Sequence, residues 1–193
     1  MKYAEAARRL RAYRTRIGAI RTRMRAVQRR IEPQPVEDYA FATARGPRRL
    51  SDLFGRHRDL FVIHNMGSSC PYCTLWADGF NGLYPHVRSR AAFVVASPDS
   101  PPVQQRFARG RGWRFPMVSH AGTTFAADMG YRSPGGFRPG ISAFQRAATG
   151  LVRVSDASLS PGDDFCALWH VLDLLPEGPA GWQPKLRYPE RSR

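Results

Sequence analysis

Three things are scarce in this chain, and each scarcity narrows the reading. Cysteine occurs only at positions 70, 73 and 166. That number is too small and too odd for a disulfide scaffold, and no Asn-x-Ser/Thr acceptor is present, so a reducing, cytoplasmic setting is expected. Long apolar runs are missing. The Ala91–Ala96 stretch falls far short of the roughly 18 residues that a membrane helix needs, and no apolar stretch follows the basic N-terminus, so the expectation is a soluble protein. Carboxylates are few as well: 15 Asp and Glu face 30 Lys and Arg, giving +15 and a pI near 11. An anionic partner therefore has to be considered. Of the basic residues 28 are arginine and only two are lysine.

What is present points to one globular domain with an appendage. The length of 193 residues leaves no room for a second full domain, and 42% hydrophobic with 11% aromatic residues excludes a disordered chain. The charge is concentrated. Residues 1–31 hold eleven basic side chains and one acid, Glu5, whereas the remainder carries only +5. Along this segment Tyr3, Ala6, Leu10, Tyr13, Ile17, Ile20, Met24, Val27 and Ile31 follow a three-four spacing, which predicts a helix with a narrow apolar seam. Such a helix needs a partner. A homodimer through residues 3–31 or packing on its own domain is the favoured expectation, with nucleic acid or an anionic membrane as the competing one.

The remaining pattern divides the chain into a basic helix (1–32), a linker (33–37) opened by Pro33 and Pro35, a body (38–176) and a tail (177–193). Within the body, strands are expected at Tyr39–Thr43, Asp59–His64 and Ala91–Ser97, and Trp113–Ser119 reads as extended. Ile141–Ala147 and Leu151–Asp156 should form a hairpin. Ser51 reads as the cap of a short helix through Phe54, further helices run to about Arg88 and from Pro101 to about Arg109, and Asp163–Leu175 closes the body. This β-α-β-α-β, then β-β-α order predicts an α/β fold, a thioredoxin-like central mixed sheet flanked by helices.

Cys70-Pro71-Tyr72-Cys73 follows a buried strand and opens a helix, which makes a common pattern specific. On that helix Cys73, Trp76, Ala77, Phe80, Leu83 and Tyr84 share an apolar face, while Cys70 lies at the N-terminal end. Unpaired backbone N–H groups and the helix dipole favour an anion there, so Cys70 is the candidate nucleophile with a lowered pKa, and Cys73 the buried resolving thiol. Pro71, Tyr72, Ser69, Trp76 and Asp78 are the supporting candidates. At its offset, however, Asp78 points away from the Cys73 face. No cofactor beyond a redox-active disulfide is expected, and no metal. The partners are a disulfide-containing substrate and an external reductant. Three alternatives compete: half a zinc site completed from His57, His64 and His120, a pair of thiols merely buried in the core, and a non-enzymatic scaffold for the basic helix. Thr74 excludes haem attachment. Cys166 reads as a packed core thiol and His170 as structural.

Two resemblances add to this. Trp113-Arg114-Phe115-Pro116-Met117-Val118-Ser119 and the strand before Cys70 resemble peroxiredoxins, which implies a thiol-dependent peroxidase as the alternative to thiol–disulfide exchange. Those enzymes, however, carry Thr or Ser three residues before the reactive cysteine, where this chain has Gly67. The run from Cys70 through Trp76-Ala77-Asp78-Gly79-Phe80-Asn81-Gly82, together with Trp113–Pro116 and His170-Val171-Leu172-Asp173-Leu174, resembles a bacterial thioredoxin-like domain-of-unknown-function family described as predicted dithiol-disulfide oxidoreductases. That resemblance implies Cys70 and Cys73 as the redox pair and names no substrate. Cys-Pro-Tyr-Cys is also the glutaredoxin tetrapeptide, which makes glutathione a candidate reductant. Pro116 and Pro139 are the candidate substrate-binding positions, Pro139 standing two residues ahead of the place where thioredoxins set a cis-proline before a strand.

Overall fold

A computed structural model of the chain describes residues 1–189, so the last four residues of the expected tail lie outside the described residues. In chain order the elements are α1 (Tyr3–Gln28), β1 (Gln34–Pro35), β2 (Ala40–Phe41), β3 (Arg48–Arg49), α2 (Leu50–Leu53), β4 (Asp59–His64) and α3 (Pro71–Val87). They continue as β5 (Ala92–Ser97), α4 (Pro101–Arg111), β6 (Met117–Ser119), α5 (Phe125–Asp128), β7 (Arg132–Ser133), β8 (Gly136–Phe137), β9 (Gly140–Ala147), β10 (Gly150–Ser158) and α6 (Ala167–Leu172).

Six strands form the main sheet in the order β1-β10-β9-β4-β5-β6. β4, β5 and β6 run parallel, and β9, β10 and β1 continue antiparallel from the other side of β4. The parallel strands read as unbroken apolar runs because both of their faces are covered. Their side chains alternate between two layers. Leu60, Val62, Val94 and Ala96 enter a core with Phe41, Phe54, Phe125 and Phe144. Ile63, Phe93 and Val95 enter the opposite core with Trp76, Phe80, Trp113, Phe115 and Trp169. The period of two along a strand produces this division.

Several boundaries differ from the sequence expectation, each for a local reason. The segment 33–37 contains an edge strand, in which Gln34 and Pro35 pair with Arg153 and Val152. A proline is tolerated there because an edge position does not require its missing N–H. Ser51 does not cap α2 but lies inside it. Asp38 accepts the Ser51 N–H (2.8 Å) and Asp52 accepts the Arg49 N–H (2.9 Å), so two carboxylates satisfy that end of the helix. The closing helix is shorter than Asp163–Leu175, because Asp163 accepts from the N–H groups of Phe165 and Cys166 and holds a turn until Ala167. Leu83, placed on the apolar face of α3, is 53% exposed. α1 ends at Gln28 rather than Ile31 and buries none of its residues. α5 and the small β7–β8 hairpin have no counterpart in the sequence expectation. Among the described residues no helix is long and apolar enough to cross a membrane.

Candidate functional site

The site lies where β4 ends. Asn65 continues the strand by donating its N–H to Ala96 (2.9 Å), and its side-chain oxygen accepts the Gly67 N–H (2.7 Å). Ser68 donates its N–H to Asp99 (2.7 Å), at the end of β5. Gly67 turns the chain at φ +114°, and a Cβ there would stand 3.2 Å from the Asp99 carboxylate, so the loop needs glycine for both its backbone and its close approach. Held in this way, the loop delivers Cys70 to the N-cap of α3, with Pro71 at the first helical position.

The two thiols occupy different environments. Cys70 is half-buried, and its Sγ accepts the Cys73 N–H at 3.1 Å. Its pKa falls to about 7: a hydrogen bond from the Cys73 thiol is the largest cause, burial opposes it, and the backbone N–H groups of Cys73 and Tyr72 assist. Cys73 is buried, with its Sγ accepting the Met66 N–H at 3.4 Å. Donation to Cys70, together with burial, pushes its thiol strongly up. One sulfur is thus prepared as an anion and the other kept protonated. Sequence reasoning anticipates the helix end; the contribution of the Cys73 thiol to the lowered Cys70 pKa is what the structure adds.

Around the pair the supporting candidates separate. Ser69 is exposed beside Cys70. The Tyr72 ring lies 6.2 Å from Trp76 and 6.3 Å from Trp169, forming an aromatic wall. Asp78 does not face the thiols: its carboxylate pairs with Arg111 and accepts the Trp113 indole N–H at 2.8 Å. Pro116 borders a cavity of about 700 Å³ with Tyr84 and Trp113. Neither Cys70 nor Cys73 lines that cavity. Pro139 is brought to the right end of the sheet. It directly precedes β9, whose first residue Gly140 pairs with His64, so the two-residue displacement expected from the sequence is absent. The peptide bonds of the described residues are all trans.

His64, the last residue of β4, enters the sequence reading only as a ligand candidate. It is buried, donates to or accepts from Ser142 Oγ at 2.9 Å, and stacks on Tyr131 at 3.9 Å. Burial, reinforced by His120 and Arg153, lowers its pKa to about 3. Its imidazole is therefore a neutral core group. Gly140 leaves room for that stack, since a Cβ there would stand 1.9 Å from the Tyr131 ring. Among the described residues no three His, Cys, Asp or Glu side chains converge to hold a metal ion. Cys166 is buried in the tryptophan layer, and burial raises its pKa. His170 is exposed, 3.5 Å from Asp164. The site residues missed from sequence are Asn65 and Asp99. Both follow the carboxyl ends of parallel strands, the position where α/β sheets build sites, and that signal was available.

The sheet order and the position of the dithiol define a thioredoxin-like protein, and comparison with solved structures agrees. Peroxidoxin BcpB from Mycobacterium tuberculosis is similar at 25% identity and TM-score 0.56, over 65% of this chain and 84% of that one. A cysteine-to-serine mutant of peroxiredoxin Q from Xanthomonas campestris is similar at 19% identity and TM-score 0.57, over 71% and 91%. Reduced Prx3 from Vibrio vulnificus is similar at 13% identity and TM-score 0.55, over 69% and 89%. The family model described as bacterial protein of unknown function, DUF899, matches residues 2–188, and the chain belongs to that family. No curated protein matches the sequence.

Proposed function

We propose that the protein is a thiol–disulfide oxidoreductase in which Cys70 is the nucleophile and Cys73 the resolving thiol. The single observation that carries this reading is the Cys70 sulfur at a helix N-cap, accepting the Cys73 backbone N–H at 3.1 Å, with its pKa drawn down to about 7. Near neutral pH a large fraction of Cys70 is then thiolate and ready to attack. The thiolate attacks one sulfur of a substrate disulfide, forming a mixed disulfide and releasing the other sulfur as a thiolate. Cys73 then loses its proton and attacks Cys70 Sγ, forming the Cys70–Cys73 disulfide and releasing the second substrate thiol. The substrate gains two electrons and the protein loses two, and an external dithiol or glutathione restores the reduced pair.

The test is reduction of insulin disulfides by the purified protein with a recycling reductant. Cys70→Ser should bring turnover to the uncatalysed rate, and Cys73→Ser should accumulate a mixed disulfide visible as added mass. Unchanged turnover in Cys70→Ser overturns the assignment. A second reading, peroxide reduction, is favoured by the likeness to peroxidoxin BcpB. Against it, Gly67 stands where a peroxide-holding hydroxyl would be needed. Hydrogen peroxide consumption that outpaces insulin reduction would select that reading.

A further inference from the structure

α1 is a 26-residue helix with no buried residue, yet it carries an apolar stripe. Leu10, Tyr13, Ile17, Ile20, Met24 and Val27 line one side, each between 45% and 66% exposed. Water-facing stripes of this length mark an interaction surface. The residues beside the stripe indicate its partner. On a helix with this three-four spacing, Arg9, Arg16 and Arg23 border one edge and Arg14 and Arg21 the other. The segment's single acid, Glu5, already faces Arg9.

This charge pattern discriminates among occupants. If a second copy were laid along the stripe, the flanking arginines would face arginines in either orientation, with no carboxylate between them. A nucleic-acid backbone would accept the arginines but leave the isoleucines and leucine in water. An anionic bilayer surface accepts both: the stripe sinks to the acyl boundary while the flanking guanidinium groups extend to the headgroup phosphates.

The body carries exposed apolar side chains of its own. Arg21 pairs with Asp164, three residues before α6. There Phe165, Val171, Leu174 and Leu175 are exposed by 40% to 73%. We propose that α1 is an in-plane anchor that seats the protein on an anionic membrane surface, with its stripe in the lipid boundary and its arginines on the headgroups.

The experiment is flotation of the full-length protein with vesicles of phosphatidylcholine alone, and with vesicles of two parts phosphatidylcholine to one part phosphatidylglycerol, at low and physiological salt. Binding to the phosphatidylglycerol vesicles should be stronger by about tenfold or more and should weaken with salt. The Ile17→Gln/Ile20→Gln pair keeps the charge and should lose about tenfold in binding. Arg14→Gln/Arg16→Gln keeps the stripe and should lose the preference for anionic lipid. Because α1 buries nothing, both variants should keep the unfolding midpoint of the parent, which separates lost binding from lost folding. The proposal is overturned by equal binding to the two vesicle types, or by Ile17→Gln/Ile20→Gln binding that matches the parent. It is equally overturned if the protein ignores vesicles and is instead a concentration-dependent dimer that this variant dissociates, or binds duplex DNA through the arginines alone.

Discussion

α1 and α3 both carry apolar stripes at helical spacing, and they meet opposite fates. α3 places Cys73, Thr74, Trp76, Ala77 and Phe80 inside the protein, whereas the longer α1 places nothing there. The difference lies in what surrounds each stripe. α3 is joined by short connections to two parallel strands that present Ile63, Phe93 and Val95 to it, so its aromatic residues close a core. α1 is followed by a short edge strand on the far side of the sheet, next to β10, and arginines border its stripe. Periodicity therefore reports that a face needs covering, and the flanking charges and connections decide whether the cover comes from within.

The sharpest way to test that contrast is to remove the largest buried side chain of α3. Trp76 is 2% exposed, and Trp76→Ala should cost about 3–5 kcal/mol through lost burial and the cavity left behind. A urea midpoint within error of the parent would show that α3 is not seated as described. Acid should destabilise the body through its buried histidine. His64 takes up its proton near 6.5 in the unfolded chain but only near about 3 in the folded one. The unfolded state therefore binds more protons between those values, and stability should fall as pH drops through that window. His64→Phe should flatten the loss, and a profile that keeps its slope in that variant would place the acid sensitivity elsewhere.

A smaller effect concerns how Cys70 is activated. If the Cys73 thiol is the main donor, Cys73→Ala should move the midpoint of Cys70 alkylation upward from about 7 toward that of an ordinary cysteine. A midpoint that does not move would assign the activation to the helix end alone. The smallest effect belongs to α1: Ile20→Gln, at a position 54% exposed, should change the stability of the body by no more than about 0.5 kcal/mol in the absence of membrane. A larger loss in chemical denaturation would mean that α1 supports the core.

Much of this was legible in the residues. The buried strands Asp59–His64 and Ala92–Ser97 announced themselves as β-branched and aromatic runs between turn residues, and the 140–158 hairpin by Ala148-Thr149-Gly150. Cys70-Pro71-Tyr72-Cys73 identified its own helix start, because a cap position and a proline at the first turn are local requirements. Local rules failed where a distant group took over a local task. Asp38, thirteen residues away, accepts the N–H of Ser51, and Asp99, from the next strand, holds the loop before Cys70.

The sequence by itself determined the α/β order, the two-layer core and the dithiol at a helix end, since each follows from side-chain period and backbone preference over a few consecutive residues. Only the tertiary structure decided that Asp99 holds the loop before Cys70, that Pro139 stands directly ahead of the strand paired with His64, and that the stripe of α1 finds no cover on its own body. Those outcomes depend on contacts between segments far apart in the chain, and a distance in space is not written in a spacing along it.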